Sequence, residues 1–214
     1  MNHEDQVVEI TAAFSGPRPH RFPFGENEDH PECIALKVAL QKEIENLCQH
    51  GITRFLTGAA NGVDAWCALI VLDLIKQGHP IVLIAIVPFK DQDEKWSTDQ
   101  QARYKTVLSG CNEVITLSEH FYDGCYKVRN QYMIEHAKYL LAVQDHANRP
   151  NSGTRQTINA NHELKQQGHR RQAHRDKGDQ AIQGAHFGGG FDVGFLVDPV
   201  KKRFDRLSLC GDKG

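Results

Sequence analysis

The stretch Thr57-Gly58-Ala59-Ala60-Asn61-Gly62-Val63-Asp64 indicates the fold class, because it joins an apolar run at 52–56 to a run with helical periodicity at 63–77. A turn of small residues between a strand and a helix exposes backbone N–H groups at the positive end of the helix, where phosphate is a common ligand. Asp64 would repel phosphate, but its carboxylate would accept hydrogen bonds from ribose hydroxyls or amines. The alternative is a tight turn that binds nothing, with Asp64 as an ordinary helix-start residue.

Two further turns follow predicted strands in the same way. Asn151-Ser152-Gly153-Thr154 comes after an apolar run at 139–143, and Ser15-Gly16-Pro17-Arg18-Pro19 ends an apolar run at 7–14. Turns at the carboxyl ends of parallel strands face one crevice, which is where open α/β sheets bind ligands. The guanidinium of Arg18 would grip a phosphate or carboxylate there. The residues that the three turns assign to ligand binding are Gly16, Arg18, Gly58, Gly62, Asp64, Ser152, Gly153 and Thr154.

Strands and helices alternate along the chain. Apolar runs predict strands at 7–14, 52–56, 81–87, 113–117 and 139–143, and helical periodicity predicts helices at 31–50, 63–77, 99–108, 126–137 and 154–167. Strands that each feed a helix favour a parallel sheet with right-handed crossovers. The predicted fold is therefore α/β, a Rossmann-like three-layer sandwich with a mostly parallel sheet.

The composition narrows the class of protein. With 214 residues, of which 40% are hydrophobic and 24% charged, the chain is long enough for one globular domain with a substantial core. Its net charge of −2 gives no general attraction to nucleic acid. The chain lacks an apolar run of about 18 residues, and it starts with Met-Asn-His-Glu-Asp, which is acidic where a signal peptide is basic. We therefore expect a cytoplasmic protein with no membrane partner.

Cysteine and histidine give no sign of a metal site. The cysteines are scattered without a C-x-x-C pair, at Cys33, Cys48, Cys67, Cys111, Cys125 and Cys210. We expect them to be reduced and mostly packed as small hydrophobic side chains, with Cys125, beside a predicted helix start, as either a packing residue or a reactive thiol. The histidines of the C-terminal part lack the spacing of metal ligands: His162, His169, His174 and His186. We expect neither a metal nor a cofactor.

Five short motifs in order carry a family resemblance. They are Ser-Gly-Pro-Arg-Pro at 15–19, the turn at 57–64, Glu94-Lys95-Trp96, Val128-Arg129-Asn130-x-x-Met133, and Ser152-Gly153-Thr154. In this order they resemble the YpsA-like branch of the SLOG superfamily over residues 7–168. The resemblance implies a Rossmannoid domain at 1–168 that binds a nucleotide or nucleotide-derived ligand, ADP-ribose-like or NAD-related, as a sensor or regulatory protein. It implies no settled reaction, and it adds Trp96, Arg129 and Asn130 to the ligand-binding residues.

Other SLOG members supply two alternative functions. The lonely-guy-type phosphoribohydrolases pair an arginine with a glutamate to cleave the N-glycosidic bond of nucleoside monophosphates. Arg129 matches the arginine, but Thr157 stands where the glutamate would be, and a hydroxyl does not stabilise oxocarbenium-like charge as a carboxylate does. An enzyme of this kind would need another carboxylate, and the candidates by strand-end position are Asp64, Glu94 and Asp145. The DNA-processing protein A of the superfamily adds single-stranded DNA binding as a third function.

The aromatic and basic side chains near these motifs have two interpretations each. Trp96 would either stack on a base as part of a lid or anchor its loop by packing. The cluster of Phe121, Tyr122 and Tyr126 would likewise stack on a base or pack. Arg129 would bind the ligand or form an ordinary ion pair with a neighbour, Asp123 or Glu135.

The C-terminal part, 169–214, departs from the family. It is polar and basic, and it begins with the run His169-Arg170-Arg171-Gln172-Ala173-His174-Arg175, where an α/β domain should enter a buried strand. An apolar run at 193–199 is either a late last strand after an inserted loop or part of a segment foreign to the fold, such as a shifted reading frame or a variable tail. The basic run would contact nucleic acid or an acidic partner, or it is simply solvated. The sequence leaves the oligomeric state open, a homodimer included.

Overall fold

The computed structural model describes residues 3–145, 152–172, 184–187, 191–196 and 206–208. Five parallel strands form the centre of the sheet in the order β4-β3-β2-β1-β5. Their bounds are β1 Thr11–Ser15, β2 Arg54–Thr57, β3 Val82–Val87, β4 Glu113–Thr116 and β5 Tyr139–Asp145. This order confirms the predicted Rossmann-like three-layer sandwich, with β1 at the point where the strand order reverses.

Helices cover both faces of this sheet. They are α2 Pro31–Gln49, α3 Val63–Lys76, α4 Thr98–Gly110, α5 Cys125–Glu135 and α6 Gly153–Gln172, while α1 His3–Glu9 precedes β1 and buries none of its residues. Local sequence explains where they begin. Pro31 supplies the fixed φ that suits the first turn of α2, and Ser97 forms a reciprocal capping box with Gln100 at the start of α4.

The core has two halves, one on each face of the sheet. Alternate residues of β1 show this, because Ala12 and Phe14 pack with α2, α3 and α4, whereas Ala13 packs with α5 and α6. All five residues of β1 are buried. A strand buried on both faces is the pattern expected of a parallel sheet between two helical layers.

One predicted strand is wrong over part of its length. Residues 7–9 belong to α1 and not to β1, which begins at Thr11. The acidic residues Glu4 and Asp5 lie in the first turn of α1, where they favour a helix N-terminus, and the hydroxyl of Thr11 donates to the carbonyl of Val7 at 2.6 Å. The apolar residues at 7, 8 and 10 therefore did not indicate a strand.

Three short strands extend the sheet beyond β5. They are β6 Gly184–Phe187, β7 Phe191–Leu196 and β8 Arg206–Ser208. β7 pairs antiparallel with β5, from Leu140 opposite Leu196 to Asp145 opposite Phe191, and β6 pairs antiparallel with β7. The other described strand pairs are parallel, so the sheet is mostly parallel, as predicted. The apolar run predicted as a late strand overlaps β7, while residues 197–199 lie outside the described residues. The proposed division at residue 168 stays a prediction.

Several smaller expectations concern side chains and membrane contact. The described cysteines are free, and Cys125 is fully buried, so it packs inside the protein; Cys210 lies outside the described residues. The backbone of residues 169–172 belongs to α6, but the other residues and all the side chains of the basic run also lie outside what the structure describes. Within the described ranges, no helix is both long enough and apolar enough to cross a lipid bilayer.

Candidate functional site

The first two turns pack directly against each other at the carboxyl ends of β1 and β2. Gly62 has φ +97°, and a Cβ there would lie 2.6 Å from the carbonyl oxygen of Pro17. A Cβ on Gly16 would overlap the side chain of Val63. Gly16 and Gly62 are therefore required by the packing of the two loops, and this packing fixes Arg18 beside the start of α3.

The turn at 57–64 is held by its own polar atoms. The hydroxyl of Thr57 accepts a hydrogen bond from the Ala59 N–H at 3.0 Å and donates one to the Asp64 carbonyl at 3.1 Å. The N–H groups of Gly58 and Ala60 donate to the Asp64 carboxylate. Three of the N–H groups that the sequence predicts to bind a phosphate therefore already have acceptors within the protein. The Asp64 carboxylate accepts from two of them.

Arg129 lies against the same carboxylate from the other side. Its Nη1 is 3.5 Å from Oδ2 of Asp64, and both residues are only 6% exposed. The guanidinium passes over Gly58, where any Cβ would overlap Nη1. The ion-pair partner of Arg129 is thus Asp64 and neither of the two neighbours that the sequence offered, since Asp123 is exposed and Glu135 accepts from Gln131.

Two nitrogen atoms of this arginine donate no hydrogen bond within the described part of the chain. Nε and Nη1 of Arg129 are buried and have no hydrogen-bond acceptor among the described residues. Buried polar groups are nearly always satisfied, and leaving a charged donor without an acceptor is costly. An acceptor from a bound molecule would remove that cost.

Burial dominates the electrostatics of the pair. It raises the pKa of the Asp64 carboxyl, although Arg129, Arg18 and the two backbone N–H groups all act in the opposite direction. Burial also lowers the pKa of the Arg129 guanidinium, which Asp64 partly offsets and Arg18 reinforces. An arginine guanidinium nevertheless keeps its charge in proteins. Two cations thus surround one carboxylate, and an additional anion would be attracted.

Arg18 completes what we call the arginine site, which consists of Arg18, Asp64 and Arg129. Its Cα lies 3.1 Å from the position of a Cβ on Gly62, and its side chain is half-buried. The guanidinium lies over the ring of Tyr126, 5.8 Å from the ring centroid. This cation–π contact holds the charge of Arg18 near α5, the helix that carries Arg129.

The third turn forms the start of α6. The hydroxyl of Ser152 accepts from the Arg155 N–H at 3.2 Å and so caps the helix, and Thr154 is buried. A Cβ on Gly153 would meet no described atom within 4 Å, so the space beside this glycine is open. The packing of the described protein therefore does not require a glycine at this position.

Asn130, next to Arg129, ties α5 to α6. Its Nδ2 donates to the Thr157 hydroxyl at 2.8 Å, and that hydroxyl donates to the Gly153 carbonyl at 2.9 Å. Thr157, which stands where the phosphoribohydrolases have a glutamate, is thus occupied in joining the two helices. The same contacts place the start of α6 beside the helix of Arg129.

The remaining predicted residues lie differently. Trp96 is half-buried and packs edge-on against Tyr104 of α4, with 5.4 Å between ring centroids, which is the geometry of a loop anchor. Glu94 is exposed, and its carbonyl accepts from Gln101 of α4. Asp145 is the last residue of β5, and its side chain lies outside the described residues.

Sequence reasoning missed the polar residues that support the turn at 57–64. Gln92 is buried and donates to the Gly58 carbonyl at 3.4 Å. Arg103 donates to Asn61 at 3.4 Å and forms an ion pair with Glu28, which also accepts from the indole of Trp66 at 3.0 Å. These partners are far apart in the chain, and a pattern search along the sequence gives no signal for such contacts.

A separate cavity lies near the amino ends of β2 and β3, at the end of the sheet opposite the arginine site. It has a volume of about 370 Å³, and its lining includes Cys48, Ile52 and His79, which lie at the C-terminus of α2 and before β2 and β3. No predicted ligand-binding residue belongs to its lining. We place the candidate site at the arginine site, because open α/β sheets bind ligands at the carboxyl ends of their strands and because the unused donors of Arg129 lie there.

Comparison with known proteins agrees with this assignment of fold and motifs. The chain is 35% identical to the uncharacterized SPbeta prophage-derived protein YoqJ of Bacillus subtilis (strain 168) over 147 residues, which cover 61% of this chain and 82% of that protein. It is 28% identical to UPF0398 proteins of Bacillus cereus (strain G9842) and Bacillus thuringiensis (strain Al Hakam) over 135 residues, which cover 62% of this chain and 73% of each relative. A sequence model named YpsA, for the YspA SLOG family, matches residues 12–174. That range contains all three turns and both arginines of the arginine site, and the chain therefore belongs to the YspA SLOG family.

Proposed function

We propose that this protein binds an anionic, nucleotide-type ligand at the arginine site and acts as a sensor or regulatory protein. The single observation that carries this proposal is the buried guanidinium of Arg129, whose Nε and Nη1 lack acceptors within the described residues. Membership of the SLOG family supports a nucleotide-related ligand at the coarser level.

The site offers a distinct partner for each part of such a ligand. Arg129 and Arg18 would hold a phosphate, with the positive N-terminus of α6 at Gly153 as an additional contact. A carboxylate has about four lone-pair positions, so Asp64 retains acceptor capacity for a ribose hydroxyl after its contacts with two N–H groups and Arg129. ADP-ribose-like and NAD-related molecules contain both groups.

The test is a thermal melt with ADP-ribose, NAD, AMP and cyclic nucleotides. A ligand present at 100 times its dissociation constant stabilises the protein by about 2.7 kcal/mol, which raises Tm by about 5–10 °C in a chain of this size. We expect Arg129→Lys to reduce the shift strongly, because lysine keeps the charge opposite Asp64 but loses the planar fork. Arg21→Lys is the matched control, because Arg21 is exposed. The absence of a shift with every ligand would overturn the proposal.

One observation favours a second candidate function, cleavage of the N-glycosidic bond of nucleoside monophosphates. Asp64 is a buried carboxyl group whose pKa burial raises, and it lies beside an arginine at strand ends, as an acid catalyst would. Incubation with AMP would then release free base and ribose 5-phosphate, and Asp64→Asn would abolish the release. Product formed equally by this variant would remove Asp64 from the reaction.

A further inference from the structure

An aromatic cluster borders the arginine site through the contact between Arg18 and Tyr126. Phe89 follows β3, Phe121 and Tyr122 lie in the loop before α5, and Tyr126 is in the first turn of that helix. We call these four residues the aromatic ledge. Phe89 meets Phe121 edge-on with 5.4 Å between ring centroids, and it meets Tyr126 in the same way at 6.0 Å. Edge-to-face packing of this kind gives the ledge a defined shape.

The outer rings of the ledge are exposed to solvent. Phe121 is 59% exposed and Tyr122 is 41% exposed, whereas Phe89 and Tyr126 are half-buried. A single exposed aromatic ring needs no explanation, but adjacent exposed rings on a preformed support are typical of a binding surface.

Arg18 connects the ledge to the arginine site. Its guanidinium lies over the ring of Tyr126, and its charge acts on both Asp64 and Arg129. Arg18 therefore places a positive charge directly beside the aromatic ring of Tyr126. A molecule with an anionic group and a planar ring matches this sequence of contacts, whereas a purely apolar partner would leave Arg18 without an anion.

We propose that the aromatic ledge binds the base of the nucleotide-type ligand, with Phe121 as the stacking surface. This inference rests on the proposed function, because the arginine site must hold the anionic group of the same molecule. Every nucleobase presents a flat π-face, so stacking on an aromatic side chain suits this class of ligand. Trp96, the other aromatic candidate, is half-buried against Tyr104, whereas Phe121 is 59% exposed and has a free face for a base.

The experiment compares AMP with ribose 5-phosphate, which has the same phosphate and sugar but no base. Titration calorimetry on the full chain should show tighter binding of AMP. Phe121→Ala should weaken AMP binding by about 5- to 150-fold, the effect of losing one stacked base, and leave the affinity for ribose 5-phosphate unchanged. Phe121→Trp should keep the affinity for AMP. Val114→Ala, at an exposed apolar residue of β4, is the matched control and should change neither affinity.

The outcomes separate this inference from the proposed function. If both probes bind equally, or if Phe121→Ala binds AMP as the wild type does, the ledge is not a base site while the anion site stands. If neither probe binds the wild type, the inference fails, and the thermal melts with ADP-ribose, NAD and cyclic nucleotides decide the proposed function separately. If Phe121→Ala converts a dimer to a monomer in size-exclusion chromatography without changing AMP binding, the ledge contacts a second copy of the chain instead.

Discussion

Gly58 has no side chain because the guanidinium of Arg129 occupies the space that one would fill. The turn was recognised from its small residues, and the expected reason was the approach of a ligand to the backbone. The structure shows a different reason, which is the approach of an arginine from α5. The same residue type therefore serves an internal contact at 58, while the space beside Gly153 is open within the described structure.

This contrast gives a prediction for a pair of glycine variants. Gly58→Ala should lower Tm markedly, because the new Cβ overlaps Nη1 of Arg129 and must displace a buried cation from Asp64. Gly153→Ala should leave Tm nearly unchanged, because its Cβ would meet no described atom within 4 Å. Thermal melts of the two purified variants measure the difference. Equal Tm values for both would show that Arg129 is not held where the structure has it.

At the arginine site, the sequence identified the residues but not the contact between them. Arg129 and Asp64 were both identified from the sequence, since each belongs to a short motif at a predicted helix start. Their pairing was not identified, because the two residues lie 65 positions apart and meet only when α3 and α5 lie at the same end of the sheet. The sequence suggested only ion-pair partners that lie close to Arg129 in the chain, Asp123 and Glu135.

Helix α2 agrees with its prediction, but it contains one buried residue that its hydrophobic spacing does not explain. Leu36, Leu40, Ile44 and Leu47 form its buried face, as the helical spacing predicted. Glu43 shares that face and is 5% exposed, and its Oε2 has no hydrogen-bond partner among the described residues. A hydrophobic pattern predicts the helix but not a carboxyl group within its buried side.

Burial raises the pKa of Glu43, and this gives a prediction for pH dependence. Because the pKa is higher in the folded than in the unfolded state, the contribution of this group to stability is full below its unfolded pKa and is lost as pH rises through its folded pKa. Glu43→Gln stays neutral, so it should melt above the wild type at about pH 8, with the difference shrinking toward about pH 4. The control is Glu119→Gln at an exposed site. A constant difference across this range would contradict the prediction.

Across the folded domain, the protection of backbone amides from hydrogen exchange should follow the order of the strands in the sheet. β1 and β2 lie between other strands and are buried, whereas β4 ends the described sheet and is mostly exposed. Hydrogen exchange followed by mass spectrometry should therefore show slow exchange in β1 and β2 and faster exchange in β4, because edge strands have amides without a partner. Protection of β4 equal to that of β2 would mean that another chain covers this edge.

Local patterns in the sequence predicted the α/β alternation, the order of the five parallel strands and of α2 to α6, the positions of the turns and the family. These features depend on periodicity, glycine, proline and short motifs, which act over a few residues. The contacts between those parts became known only from the folded structure: Arg129 pairs with Asp64, Asn130 donates to Thr157, and Arg103 donates to Asn61. The folded structure also shows that the N-terminal apolar residues begin in a helix. Such contacts depend on which distant segments the folded sheet brings together in space. A pattern of neighbouring residues does not specify which segments those are.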